Sequence, residues 1–175
     1  MVDTASGAVL AVIDGLGHGP EAAAAAQAAA AAIRTNALAP VEVLLERCHG
    51  AMAGSRGAVA TVAQIARHSG LMRWAGIGNV EGVVARRSAG GSRIAYAPLR
   101  GGILGSVFEG ARAGQLDLAP GELLALATDG LQGSFVDRLR PGAEPAEMAG
   151  ELLAAFSRPD DDALVLVARF EGAAP

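Results

Sequence analysis

The chain contains no lysine: all fourteen of its basic residues are arginine, set against 18 acidic ones for a net charge of −4. The arginines are scattered, with only Arg86-Arg87 adjacent. A sequence pI near 5.3 without a basic cluster argues against a nucleic-acid surface. Cysteine is almost absent too. The single Cys48 excludes an internal disulfide and a cysteine zinc cage, and its apolar-periodic surroundings mark it as a buried, inert thiol. Long apolar runs are missing, although 51% of residues are hydrophobic and the mean hydropathy is +0.35. Alanine supplies much of that value. The Ala22–Ala32 stretch is broken by Gln27 and followed by Arg34, so no segment reaches the roughly 20 apolar residues that span a bilayer. The N-terminus lacks the basic region of a secretory leader. A cytoplasmic protein without membrane segments is expected. At 175 residues, with no internal repeat and no long linker, residues 1–175 are expected to form one domain.

What the chain does have is acid at the ends of apolar runs. Val9-Leu10-Ala11-Val12-Ile13 ends in Asp14-Gly15-Leu16-Gly17-His18-Gly19-Pro20. Leu123-Leu124-Ala125-Leu126-Ala127 ends in Thr128-Asp129-Gly130, and Asp160-Asp161-Asp162 opens the last apolar run. Hard cations are bound by oxygen ligands, and glycines let the backbone turn sharply beside them. Each acid alone reads equally as a turn residue, since Asp-Gly is a common turn pair; the conjunction of three strand ends points to a cation site. Converging carboxylates repel unless a cation neutralises them. His18 reads either as a phosphate contact or general acid, or as a polar residue opening a helix. The glycines of 15–19 lack the Lys-Ser/Thr ending of a P-loop and the spacing of a dinucleotide fingerprint.

The pattern predicts strands over 7–13, 58–66, 71–77, 80–86, 93–97, 112–118, 122–128 and 163–170. Helices are predicted over 20–35, after Pro40 and over 145–156. Arg67-His68-Ser69-Gly70 signals a hairpin, and Gly78-Asn79 a further turn. Asn79 reads as a turn former, His49 and His68 as surface or turn residues, and Trp74 as core. Gly101-Gly102 and Gly105 punctuate a loop expected to be mobile; Arg100 beside it reads as a phosphate contact or as part of a plain glycine-rich turn. Consecutive strands on short turns exclude a doubly wound parallel sheet and favour an α+β sandwich of antiparallel sheets covered by helices.

The stretches AVIDGLGHGPEAA (11–23), LLERCHGAM (44–52), RGAVATV (56–62), WAGIGNVEGVV (74–84), LRGGILG (99–105), GELLALATDGL (121–131) and DDALVLVAR (161–169) resemble, in this order, the metal-dependent protein phosphatases of type 2C. The resemblance lies in their bacterial SpoIIE-like branch, with the stressosome-resetting members as the best match. It implies an α-β-β-α sandwich of two antiparallel sheets, with two Mn2+ or Mg2+ ions at one edge. Asp14 would bridge both ions, the Gly15 carbonyl would bind one, and Asp129 and Asp161 would hold the other. The alternation after residue 162 favours Asp161 over Asp160 or Asp162. The implied activity is hydrolysis of phosphoserine or phosphothreonine by direct attack of water, without a phosphoenzyme. The implied partner is a phosphorylated STAS-domain protein, either a stressosome component or an anti-anti-sigma factor. One feature departs from the family. Its members carry a further Gly-Asp pair on the preceding strand, whereas Val2-Asp3-Thr4 is expected to form the turn before the Asp14 strand, so the first strand is expected to be missing. A catalytically weak, phosphoprotein-binding module is therefore the competing expectation.

Overall fold

The computed structural model describes residues 1–89 and 91–172. The elements run β1 (Val2–Thr4), β2 (Gly7–Gly15), α1 (Pro20–Thr35), α2 (Val41–Ala51), β3 (Ala58–Ala66), β4 (Leu71–Ile77), β5 (Glu81–Ser88) and β6 (Gly91–Tyr96). They continue with β7 (Leu99–Arg100), β8 (Gly114–Asp117), β9 (Leu123–Ala127), a 3-10 turn over Gly133–Arg138, α3 (Pro145–Phe156) and β10 (Val165–Arg169). One sheet has the order β1-β2-β3-β4-β7 with β8 also on β4; the other is β10-β9-β5-β6. All pairings are antiparallel except β4 with β7, where Gly76 and Ile77 run parallel to Leu99 and Arg100.

Period-two burial builds three apolar layers from these strands. On β2, Leu10 and Val12 point between the sheets, while Val9, Ala11 and Ile13 face the helices. On β9, Leu124 and Leu126 enter the central layer and Leu123, Ala125 and Ala127 pack under Phe135, Met148 and Leu152. α1 presents Ala22, Ala25, Ala29 and Ile33 inward at helical spacing. α2 adds Val41, Leu44, Leu45 and Cys48. The result is the expected α-β-β-α order, with Trp74 in the central layer.

Cys48 is fully buried, and burial pushes its thiol up to about 12. Thiolate is the reactive form, so native protein is expected to leave Cys48 unmodified by a thiol reagent at pH 8 and to react stoichiometrically once unfolded in guanidinium.

One local expectation is overturned. Val2-Asp3-Thr4 is not a turn but an edge strand, with Val2 opposite Val9, Asp3 opposite Ala8 and Thr4 opposite Gly7. The turn falls at Ala5-Ser6, because Val2 and Thr4 alternate inward on the pleat while Asp3 is exposed.

Candidate metal and phosphate site

Sheet register gathers the acids at one edge. Asp14 pairs with Val59, next to Ala60, which pairs with Ile77 at the end of β4. Gly78-Asn79 follows at once. In the other sheet Ala127, the last residue of β9, is flanked by Glu81 at the start of β5 and Val165 at the start of β10. The β2, β4 and β9 exits and the β10 entrance thus open onto one cleft of about 960 Å³. Asp14, Gly15, His18, Asn79 and Asp129 line it together with all of Asp160, Asp161 and Asp162.

Two glycines make this closeness possible. A Cβ on Gly15 would lie 2.2 Å from the Ala22 carbonyl oxygen, so only glycine lets α1 pack against the strand end. A Cβ on Gly130 would lie 2.2 Å from the Asp162 carbonyl oxygen, so glycine also draws the acidic turn onto the β9 exit. Further bonds secure that turn. The Thr128 amide donates to the Leu164 carbonyl (3.0 Å) and the Leu164 amide to Thr128 Oγ1 (3.0 Å). The Arg158 amide donates to the Gly130 carbonyl (2.8 Å), and Asp161 Oδ1 accepts from the Asp162 amide (2.9 Å).

Asp14 is half-buried, whereas Asp129 and Asp160–Asp162 are exposed. Burial, and after it the charges of Asp129, Asp161 and Asp162, hold the Asp14 carboxyl above the usual carboxylate range. The four carboxylates therefore share one electrostatic field. Among the described residues no three His, Cys, Asp or Glu side chains are arranged to hold a metal ion. The donor set is nevertheless all oxygen and carries concentrated negative charge, which fits a hard divalent cation rather than a soft one. The residues present fit such an ion by their donor chemistry.

His18 is exposed on the cleft wall, just before α1. Arg100 is placed differently: its Nη1 donates to the Glu109 and Gly110 carbonyls (both 3.3 Å), and its side chain is not among those lining the cleft. Its backbone carbonyl instead receives the Gly78 amide (2.8 Å) and steadies the β4 exit. Asp3 lies opposite Ala8, six residues along β2 from Asp14, which is on the order of 20 Å at ~3.4 Å per residue. It pairs with Arg67 (3.7 Å) and takes no part in the cleft.

Two side chains have long-range partners that escape the sequence reading. Asn79 donates from Nδ2 to Asp129 Oδ2 at 2.7 Å, across 50 residues of chain. A polar residue leaving an apolar run, as at Asp14, was the available signal. Asn79→Ala is expected to weaken divalent-metal affinity by about 10–100-fold, the usual effect of losing a group that orients a ligand, as read by calorimetric titration with Mn2+. His49, expected on the surface, is half-buried instead, and its Nδ1 accepts from the Gly105 amide (3.0 Å). The 101–105 segment, expected to be mobile, is held by that bond and by Leu104 paired with Ala58.

The model of the family described as Stage II sporulation protein E (SpoIIE) matches residues 4–171. The chain belongs to the SpoIIE family. A solved structure from the bacterial stressosome, described as a modular system adapted to control secondary messenger signalling, is 32% identical and has a TM-score of 0.77. That match covers 92% of this chain and 84% of the other. RsbX in complex with magnesium shares the fold at a TM-score of 0.80, with 24% identity over 94% of this chain and 81% of that one. The RsbU and RsbW domains of a Mycobacterium tuberculosis protein match at 25% identity and a TM-score of 0.78, covering 95% of this chain and 54% of theirs. No curated protein sequence matches. SpoIIE-family membership and the type 2C phosphatase fold, which RsbX shares, agree with the four-layer architecture, and the chain is related to the stressosome and RsbU structures.

Proposed function

We propose that this SpoIIE-family chain is a divalent-metal-dependent phosphoserine/phosphothreonine phosphatase acting on a STAS-domain signalling protein in the cytoplasm. The observation that carries the reading is the meeting of Asp14, Gly15, Asp129 and Asp161 at one sheet edge, with Asn79 on Asp129. The magnesium complex of RsbX and the complex of the PstP catalytic domain with 2 manganese ions support the choice of Mg2+ or Mn2+; the stressosome and RsbU/RsbW relatives support the partner. No helix among the described residues is long and apolar enough to cross a membrane.

Asp14, the Gly15 carbonyl, Asp129 and Asp161 would hold two divalent ions, which would supply an activated water and neutralise charge on the phosphoryl oxygens. The protein supplies the rest. Asn79 holds the Asp129 carboxylate in one orientation, so the ligand is set before substrate arrives. His18 on the cleft wall donates a hydrogen bond to the phosphoryl group or a proton to the departing serine oxygen. No hydroxyl or thiol side chain lines the cleft among the described residues, which agrees with direct attack by water, the route that the family resemblance implies.

The expected result is manganese-dependent phosphate release from a phosphorylated STAS protein, abolished in Asp129→Asn. Release that persists unchanged in that variant would sink the metal mechanism. The position of Asp3, far from the cleft, supports a second reading, a phosphoprotein-binding module with weak turnover. It would show intact binding and no release at saturating manganese.

A further inference from the structure

α2 ends beside the loop that forms one wall of the cleft. Gly101 and Ile103 of that loop line the cleft together with the acids. Behind them the loop folds on itself, with the Ile103 amide donating to the Val107 carbonyl (2.7 Å) and the Ser106 amide to the Ile103 carbonyl (3.1 Å). It meets the body of the protein in two places. Leu104 exchanges backbone bonds with Ala58 (2.9 and 3.0 Å). On the other side the Gly105 amide donates to His49 Nδ1 (3.0 Å), and Phe108 stacks on the same imidazole with centroids 5.0 Å apart and planes inclined by 28°. Gly105 has φ +91, and a Cβ there would lie 2.8 Å from the Met52 carbonyl oxygen, so the loop sits tightly on the α2 terminus. His49 Nδ1 thus serves as the acceptor that ties the Gly105 amide to the α2 terminus.

We propose that His49 is a positioning residue for the phosphoprotein substrate. Its Nδ1 and ring face hold residues 103–108 against α2, which keeps Gly101 and Ile103 in the cleft wall. It touches no acid of the site, so its effect falls on substrate binding and not on the chemical step. The inference rests on the phosphatase reading above. Val107, 59% exposed at the tip of the same loop, is then presented to the protein partner as an apolar contact in a fixed position.

Three variants separate this role from a merely structural one. His49→Phe keeps a stacking ring and removes the acceptor; His49→Asn keeps an acceptor near the Nδ1 position; Phe108→Leu removes the stack from the loop side. His49→Phe is expected to raise KM for a phosphorylated STAS protein by about 3- to 10-fold, the effect of one neutral hydrogen bond, with kcat within about twofold. Phe108→Leu should move KM in the same direction, and His49→Asn should restore it. Hydrogen exchange on the metal-free protein gives a readout independent of turnover: amides of 103–106 should exchange faster in His49→Phe and at the wild-type rate in His49→Asn. Unchanged exchange in His49→Phe would overturn the proposal, as would faster exchange with unchanged KM, or a loss confined to kcat. A wild-type protein that binds the phosphoprotein and releases no phosphate marks failure of the phosphatase reading instead. The same contrast among the three variants is then read as Kd.

Discussion

Asp14→Asn is expected to raise the melting temperature of the metal-free protein at pH 7 and to abolish its response to manganese. Burial and the neighbouring charges of Asp129, Asp161 and Asp162 place the folded-state value of Asp14 above its unfolded one. Its contribution therefore favours the fold fully below the unfolded value and is lost as pH rises through the folded one. At neutral pH the ionised carboxylate opposes folding, and an amide of the same shape removes that opposition. The metal-free wild type should accordingly lose stability as pH rises from the ordinary carboxylate value through the raised folded-state value of Asp14, and Asp14→Asn should lose less. A bound cation removes the same repulsion in the wild type. At manganese 100-fold above Kd the gain is about 2.7 kcal/mol, or about 5–11 °C for a chain of this size. The variant should gain less than about 1 °C and lose more than about 100-fold in phosphate release, beyond the range for groups that only orient a ligand. Calorimetry in chelator and in manganese checks both parts. A metal-free variant that melts below the wild type would contradict the shared-field account of these carboxylates.

Gly130→Ala is the second large effect, and it acts through the backbone. The added Cβ would meet the Asp162 carbonyl oxygen at 2.2 Å, so the acidic turn must retreat from the β9 exit. Overpacking of this kind costs about 1–3 kcal/mol, or about 2–12 °C in melting temperature. The functional loss should be larger than the stability loss suggests. Displacing Asp161 from Asp129 by about 1 Å is enough to cost on the order of 100-fold in turnover. Gly133→Ala is the control, since a Cβ there meets nothing within 4 Å; it should leave activity and manganese response at the wild-type level. Equal losses in both variants would show that the site does not depend on the contact between Gly130 and the acidic turn.

Much of this was legible in the linear chain because it rests on local rules. The period-two runs of β2 and β9 and the alanine-rich α1 state their own secondary structure. Asp-Gly at two strand exits and the acids before β10 identify the residues that meet in the cleft. The motifs in their order indicate the family. Where the reading failed, the missing information was long-range. Asn79 looks like a turn residue until the sheet register brings Asp129, 50 residues away, to its amide. His49 belongs to the polar end of an amphipathic helix by sequence, and only the loop folding back from the far side of β4 gives it Gly105 and Phe108 as neighbours. Arg100 stands in a glycine-rich segment beside the cleft, yet the carbonyls of Glu109 and Gly110 take its guanidinium.

The sequence by itself thus determined which residues carry charge, where strands end and which family the motifs match. These follow from propensity, periodicity and residue chemistry within a few neighbours of each position. Only the tertiary structure decided which acids share one field, which glycines admit a carbonyl at 2.2 Å, and that Asp3 stands at the wrong end of β2. Those are matters of register and packing between segments far apart in the chain. A shift of one residue in any pairing would turn the same side chains to the opposite face.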